Sequence, residues 1–528
     1  MSKYDVIIAG AGHNGLMAGC YLAKAGLNVC VVEHQDQIGG GVQTREMTLP
    51  GFKHDVCSTW HGFICPNPVL RDDELELQAK YGLNYIRPEI MTGVVFDDDS
   101  VFVLHKDLDR TCQSIAKISQ HDADAYRQFH DWSIRMLDML TMGMFNPPPP
   151  FGAQMAMMDQ SPEGRQLIRA QMISAWDVVD EIFENDRIKI ALSRYASEAM
   201  INPFVKGTGF ALFVFIPLTH KYGGMFPEGG SGELSESMGR MIKANGGTIK
   251  LNSTVKEFKI SGDEATGVIL TSGEEILASK AVVSGMNIKQ MFPGMTGGYA
   301  LPDGFVQNVK NLSPANFAPI HQHIALNDLP AYKCDNEDVK NAFWVEFSTC
   351  DKEEYWNAFH ALDLGHPRDD LYLAITYSKW DKKRAPAGKH TLYLYGFCPY
   401  DLAKGGAQAW KEKGQEVADG ILGHFRERTS NMGDDNILGR SFWTPLDFET
   451  HNPSYVRADI GHIGQFNWQS AGNRPLPGWN YRMPLKKLYL SSASGHPGTG
   501  VIGGGRAAVQ AVMEDLGIDF EKVAAKKS

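Results

Sequence analysis

Runs of apolar residues change period along the chain, and the changes mark its elements. Tyr4–Ala9 is a short apolar run, closed at once by Gly10-Ala11-Gly12-His13-Asn14-Gly15. Leu16–Ala25 then carries apolar residues at helical spacing, and Asn28–Val32 is a second apolar run that ends at Glu33. This predicts strand, glycine turn, helix, strand, acid. Further on, Gly93–Phe96 and Val101–Leu104 flank Asp97-Asp98-Asp99-Ser100 and predict a hairpin. Asp107–Tyr195 reads as mostly helical, with Asp122–Leu140 its clearest amphipathic stretch. Pro147–Pro150 interrupts it, because four consecutive prolines force an extended path. With Met155, Met157 and Met158, that break is either an adaptable lid or a surface connection.

The second half alternates in the same way. Glu233–Ala244 predicts a helix, stopped by Asn245-Gly246-Gly247. Short strands follow at Thr248–Leu251, Val255–Ile260, Ala265–Thr271 and Glu274–Leu277, then another at Ala281–Gly285. His321–Leu326, Phe343–Ser348, Leu371–Ser378 and Thr391–Phe397 are strand-like, and Ala409–Thr429 is a long amphipathic helix. Leu488–Ser494 predicts a strand, Gly495–Gly500 a glycine-rich turn, and Val501–Leu516 a helix.

The first forty residues carry the chemistry. Gly10 suits a tight turn, Gly12 lets backbone approach a pyrophosphate, and Gly15 lets the helix pack close to the strand. The helix start offers unpaired N–H groups to phosphates, with Asn14 in its first turn. Glu33 stands about 20 residues on, where an acid can accept from a ribose, and His34 adjoins it. Gly39-Gly40-Gly41 then allows a second backbone segment, through Gly40 and Gly41, to reach the same ligand. This cluster resembles the doublet of glutathione-reductase-like FAD proteins, which favours FAD over NAD. The expected architecture is α/β: a Rossmann-type FAD-binding domain of residues 1–70, 223–290 and 440–528. A discontinuous α+β substrate domain takes residues 71–222 and 291–439.

Composition narrows the classes. The 528 residues suffice for two or three domains, and 43% hydrophobic with 21% charged is ordinary for a globular protein. A net charge of −11 and the lack of a basic run argue against nucleic acid as a partner. The eight cysteines form no CxxC pair and no zinc spacing, so no metal is expected. No apolar run reaches the ~20 residues of a membrane span. The longest, Gly209–Leu218, reads as core or pocket wall. A cytoplasmic location is expected, with peripheral membrane contact left open.

The C-terminal turn is the second anchor. A helix start there would face a flavin ring and stabilise negative charge on it. Its contact set is Gly495, Pro497, Gly498, Val501 and Ile502. Taken together, Asp5–Thr44, Gly223–Val255 and Thr444–Gly505, above all the Gly-x-His-Pro-Gly-x-Gly-Val pattern, resemble the phytoene-desaturase-like FAD oxidoreductases. In particular they resemble the branch typified by pyridine nucleotide-disulfide oxidoreductase domain-containing protein 2. The resemblance implies FAD lying extended along the first domain, with Val255 against the adenine. It also implies a desaturase or dehydrogenase that forms C=C in an apolar or cyclic small molecule and passes electrons to oxygen or a quinone. Ser491 and Ser470-Ala471 depart from the family pattern, so no substrate carries over.

Flavin desaturation needs a hydride route and a proton route. The candidates on segments that could fold over a flavin are His61, His496 and Tyr195, with His220 and Tyr222 flanking the return from the second domain. An amine oxidase on the same fold, or a flavin-binding interaction protein without turnover, are the alternatives.

Overall fold

Two seven-stranded sheets organise the chain, and the computed structural model describes residues 2–525. In the first sheet Ser2–Ala9 lies between Val29–Val32 and Glu275–Ser284, parallel to both. Thr248–Lys250 extends it on one side and Leu488–Leu490 on the other, again parallel. Alternation along Ser2–Ala9 explains its two coats. Val6 and Ile8 face a core shared with the helices His13–Lys24 and Gly232–Ala244. Ile7 and Ala9 face a separate core with Phe258, Met291 and Leu485. The helix Gly505–Asp515 packs beside His13–Lys24.

Glu275–Ser284 is one strand where the residue pattern reads two. Its first half pairs antiparallel with Glu264–Leu270, its second half parallel with Leu488–Leu490. Val255–Ser261 completes that antiparallel flap.

The second sheet runs in the order 437–443, 318–326, 390–398, 372–375, 344–348, 90–96, 101–105. Its last strand, Ile437–Trp443, spans residue 440. Helix Gln120–Met144 is longer than its clearest amphipathic stretch and packs on Leu212–Tyr222. The latter is the apolar run 209–218 taken as core or pocket wall. It is buried from Leu212 to His220, and it carries Pro217 inside it. The proline break ends at a short helix, Phe151–Met158, with Met157 exposed and Met158 buried.

The C-terminal helix begins later than its apolar spacing implies. It starts at Gly505 rather than Val501, because Gly500 and Gly503 hold φ of +91° and +80°, outside the helical region. Among the described residues no helix is long and apolar enough to cross a membrane.

Candidate active site

The glycine turn is built by close approach. Gly10 takes φ +93°, and a Cβ on Gly15 would lie 2.7 Å from the Gly10 carbonyl oxygen. The helix His13–Lys24 therefore starts tight against the strand, with Gly12 as its N-cap. A Cβ on Gly12 would meet nothing within 4 Å, so the helix start is open on that side. Glu33, buried at the end of the second strand, accepts from the Ala11 amide at 2.6 Å and the Gln35 amide at 3.0 Å. His34 Nδ1 lies 2.7 Å from the same carboxylate, which holds the imidazole pKa above its ordinary value. The acid thus braces the turn as well as facing the space beside it.

A second backbone segment lies on the turn. The Gly39 amide donates to the Ala11 carbonyl at 2.8 Å, and a Cβ on Gly40 would come 3.2 Å from the Gly12 Cα. A side chain at Gly40 would crowd the Gly12 backbone at that distance.

The turn opens into one cleft of about 1510 Å³, part of it open to solvent. Of the sequence-expected cofactor set, Gly10, Gly12, Asn14, Glu33 and His34 form part of its wall. So do Gly40, Gly41, Val255 and Val501. Three buried polar atoms of the wall, His13 Nε2, Asn14 Oδ1 and Ser58 Oγ, meet no hydrogen-bond partner in the protein. Unpaired polar atoms beside an open helix start fit a polar, phosphate-bearing ligand.

The other members of that set stand behind the wall. Gly15 sets the helix-strand spacing. Gln465 donates to the Pro497 carbonyl at 3.1 Å and fills the space where a Gly498 Cβ would lie. Asn67 donates to the Ile502 carbonyl at 2.9 Å. Gly495 closes a turn on Ser492.

The three catalytic candidates are not brought together, and none forms part of the wall. His61 is fully buried, with Nδ1 3.1 Å from the Tyr85 hydroxyl, and burial lowers its pKa to about 3. His496 Nε2 donates to the Gly143 carbonyl at 2.9 Å, and burial lowers its pKa to about 4. The Tyr195 hydroxyl is held by Thr92. Of the flanking pair, His220 is engaged by the Tyr126 hydroxyl at 2.7 Å, and Tyr222 is half-buried on the same helix.

What lines the wall away from the glycine turn is aromatic. Trp60 stacks on Phe215 at 5.7 Å between centroids, and Phe63 meets Phe215 edge-on at 4.7 Å. Tyr395, from the second sheet, and Glu198 join them. Glu198 pairs with Arg194 Nη1 at 2.7 Å, and Arg194 Nε lies 3.6 Å from Glu346. Sequence reasoning missed Glu198 and Tyr395. The only local signal for the first is its position four residues after Arg194, and Tyr395 is one of several aromatics on an alternating strand.

Comparisons with known proteins place this geometry. Residues 8–72 match the NAD(P)-binding Rossmann-like domain family. The chain is 27% identical to pyridine nucleotide-disulfide oxidoreductase domain-containing protein 2 of Rattus norvegicus, over 97% of this chain and 94% of that protein. It is 25% identical to a limonene dehydrogenase component of Castellaniella defragrans, over 98% and 96%. It is 24% identical to a lycopene-forming phytoene desaturase of Pantoea ananas, over 96% and 99%. In fold it matches putrescine oxidase bound to putrescine, with a TM-score of 0.63, 15% identity, and 98% and 99% of the two chains covered. The chain is thus a homologue of phytoene desaturases and of pyridine nucleotide-disulfide oxidoreductase domain-containing protein 2, with a Rossmann-like domain at its start.

Proposed function

We propose that this protein is an FAD-dependent dehydrogenase that forms a C=C bond in a small apolar or cyclic molecule. The observation that carries the reading is the single cleft. Its wall includes the open helix start at Gly12, Glu33 and Val255, and also the aromatic group Trp60, Phe63 and Phe215. A dinucleotide and an apolar ring would therefore share one enclosure.

The donor set suits FAD. The amides at the start of helix His13–Lys24 would hold the pyrophosphate, Glu33 the adenosine ribose and Val255 the adenine edge. Gly39–Gly41 lies against the turn as a second backbone strip, which supports a glutathione-reductase-like mode of holding FAD. Bound FAD supplies a two-electron acceptor for hydride. The chain's own residues would orient the substrate and exclude water: Trp60, Phe63 and Phe215 are packed against one another in the cleft wall. A relative named as a limonene dehydrogenase supports a cyclic apolar substrate. Electrons would leave to oxygen or a quinone.

The test is cofactor identity. Protein purified in its native state and then acid-denatured should release FAD, identified by mass, at near one per chain. Release of NAD, or failure of the protein to take up added FAD, would overturn the reading.

A further inference from the structure

The aromatic part of the cleft holds one acid, half of a buried ion pair, and one phenol with only a weak acceptor. Glu198 lies on the turn Arg194–Ala199, and its side chain, 10% exposed, forms part of the cleft wall. Its only ionic partner among the described residues is Arg194, itself buried and shared with Glu346. The Arg194 guanidinium also lies 4.3 Å over the Phe397 ring, and its Nη2 meets no acceptor. Two carboxylates thus divide one buried guanidinium. The set carries one negative charge too many for a desolvated place, which makes it ready to take up a proton.

Tyr395 is the second group. It forms part of the same wall, and the only acceptor that its hydroxyl meets among the described residues is the Met200 thioether at 3.5 Å. Sulfur is a weak acceptor, so this O–H remains available to a better one. Burial, and after it the Glu198 carboxylate, raises the phenol pKa well above its usual value, so the group stays a donor.

We propose that Glu198 is the proton acceptor of this site and Tyr395 the donor to a carbonyl oxygen, so that the substrate is a cyclic ketone dehydrogenated at its α,β-carbons. The proposal rests on the FAD-dependent reading above and names its substrate class. A carboxylate removes a carbon-bound proton efficiently only where a neighbouring carbonyl acidifies it. The balance is complete. The α C–H bond breaks, its proton goes to a Glu198 oxygen, and its electron pair enters the new C=C bond. The β C–H bond would break with its hydride accepted by bound FAD, which oxygen or a quinone would reoxidise. Tyr395 donates to the ketone oxygen and holds the developing negative charge.

Glu346 is a positioning residue in this scheme. Burial raises its pKa to about 7, with Arg194 pulling it down and Glu198 pushing it up. Burial likewise raises that of Glu198, against Arg194. The titratable groups around the pair are Arg194, Tyr195, Tyr355 and Tyr395.

The experiment separates proton transfer from redox. Holoenzyme reduced beforehand with dithionite is incubated anaerobically with cyclohexanone in D2O, and α-hydrogen exchange is followed by NMR. Exchange should exceed that in buffer, fall about 100-fold in Glu198→Gln and fall in Tyr395→Phe. Glu346→Gln should retain exchange, with the acidic limb of its pH profile moved to lower pH, since Glu198 is left alone with Arg194. The flavin band of each variant reports folding and cofactor retention. Wild-type exchange no faster than buffer, equal rates in Glu198→Gln, or an unmoved profile in Glu346→Gln would overturn the proposal. Wild-type protein without a flavin band would count against the dehydrogenase reading, and that is read separately.

Discussion

A Cβ placed on Gly15 would lie 2.7 Å from the carbonyl oxygen of Gly10, closer than real Cβ contacts come. The first helix can approach the first strand only because that atom is missing. Gly15→Ala should push the helix off the strand, cost about 1–3 kcal/mol, and lower the flavin-to-protein ratio of the purified protein. An unchanged ratio would mean that the helix start does not hold the cofactor.

Glu33 is expected to act twice, on the turn and on the ligand. Glu33→Gln keeps the shape but gives up the charge that accepts from the Ala11 and Gln35 amides. A hydrogen bond to a charged group contributes about 1.5–3 kcal/mol, so with the ribose bond weakened FAD affinity, measured by fluorescence quenching, should fall by about 10-fold or more. A variant that binds FAD as tightly as the wild type would remove the ribose role from this residue.

These two positions show what is legible in the chain. The glycine turn, Glu33 and the Gly39–Gly41 strip are read from sequence because each needs a particular residue type at a fixed separation. The aromatic wall is not, since Phe215 sits in an apolar run that could equally be core, and its helix is in fact buried all round. Glu198 is hidden for another reason. Glu346, the acid that shares Arg194 with it, lies on a distant strand, so no spacing announces the three-residue set. His61 and His496 stand out by composition near glycine turns, yet each ring is absorbed by a neighbour, Tyr85 or Gly143. The start of the last helix is misread because apolar spacing ignores the backbone that Gly500 and Gly503 adopt.

The first segment is clasped to the second sheet by Arg384, which pairs with Asp55 at 2.8 Å, both side chains fully buried. Burial alone would raise the Asp55 pKa. Arg384, the Thr44 hydroxyl and the Ser231 amide instead hold it below the usual carboxylate range. Arg384→Met leaves that charge unpaired and should cost about 3–5 kcal/mol, read as a lower urea midpoint. Asp55→Asn in the same chain should recover part of the loss. Because the folded pKa is depressed, the stabilisation is present above the unfolded value and lost as pH falls through the folded one.

Buried histidines should make the protein acid-sensitive earlier than its carboxylates do. Burial lowers His13, His323 and His496 to about 4, and His61 and His462 to about 3, from 6.5. Their folded forms stay neutral while the unfolded chain takes up protons, so stability is full above about pH 6.5 and declines as pH falls towards 4. Urea midpoints at successive pH values should show that decline, and His61→Leu should make it shallower. A flat profile over that window would show that these rings are hydrated in solution.

Dehydrogenation at carbon can be read in one anaerobic titration. Oxidised holoenzyme is mixed with cyclohexanone, cyclohexylamine or a linear polyene, the visible flavin band is followed, and the products are taken for mass analysis. The ketone should bleach the band, with a product lacking two hydrogens formed in step with flavin reduction. Bleaching by the amine alone, or a flavin that none of the three reduces, would contradict it.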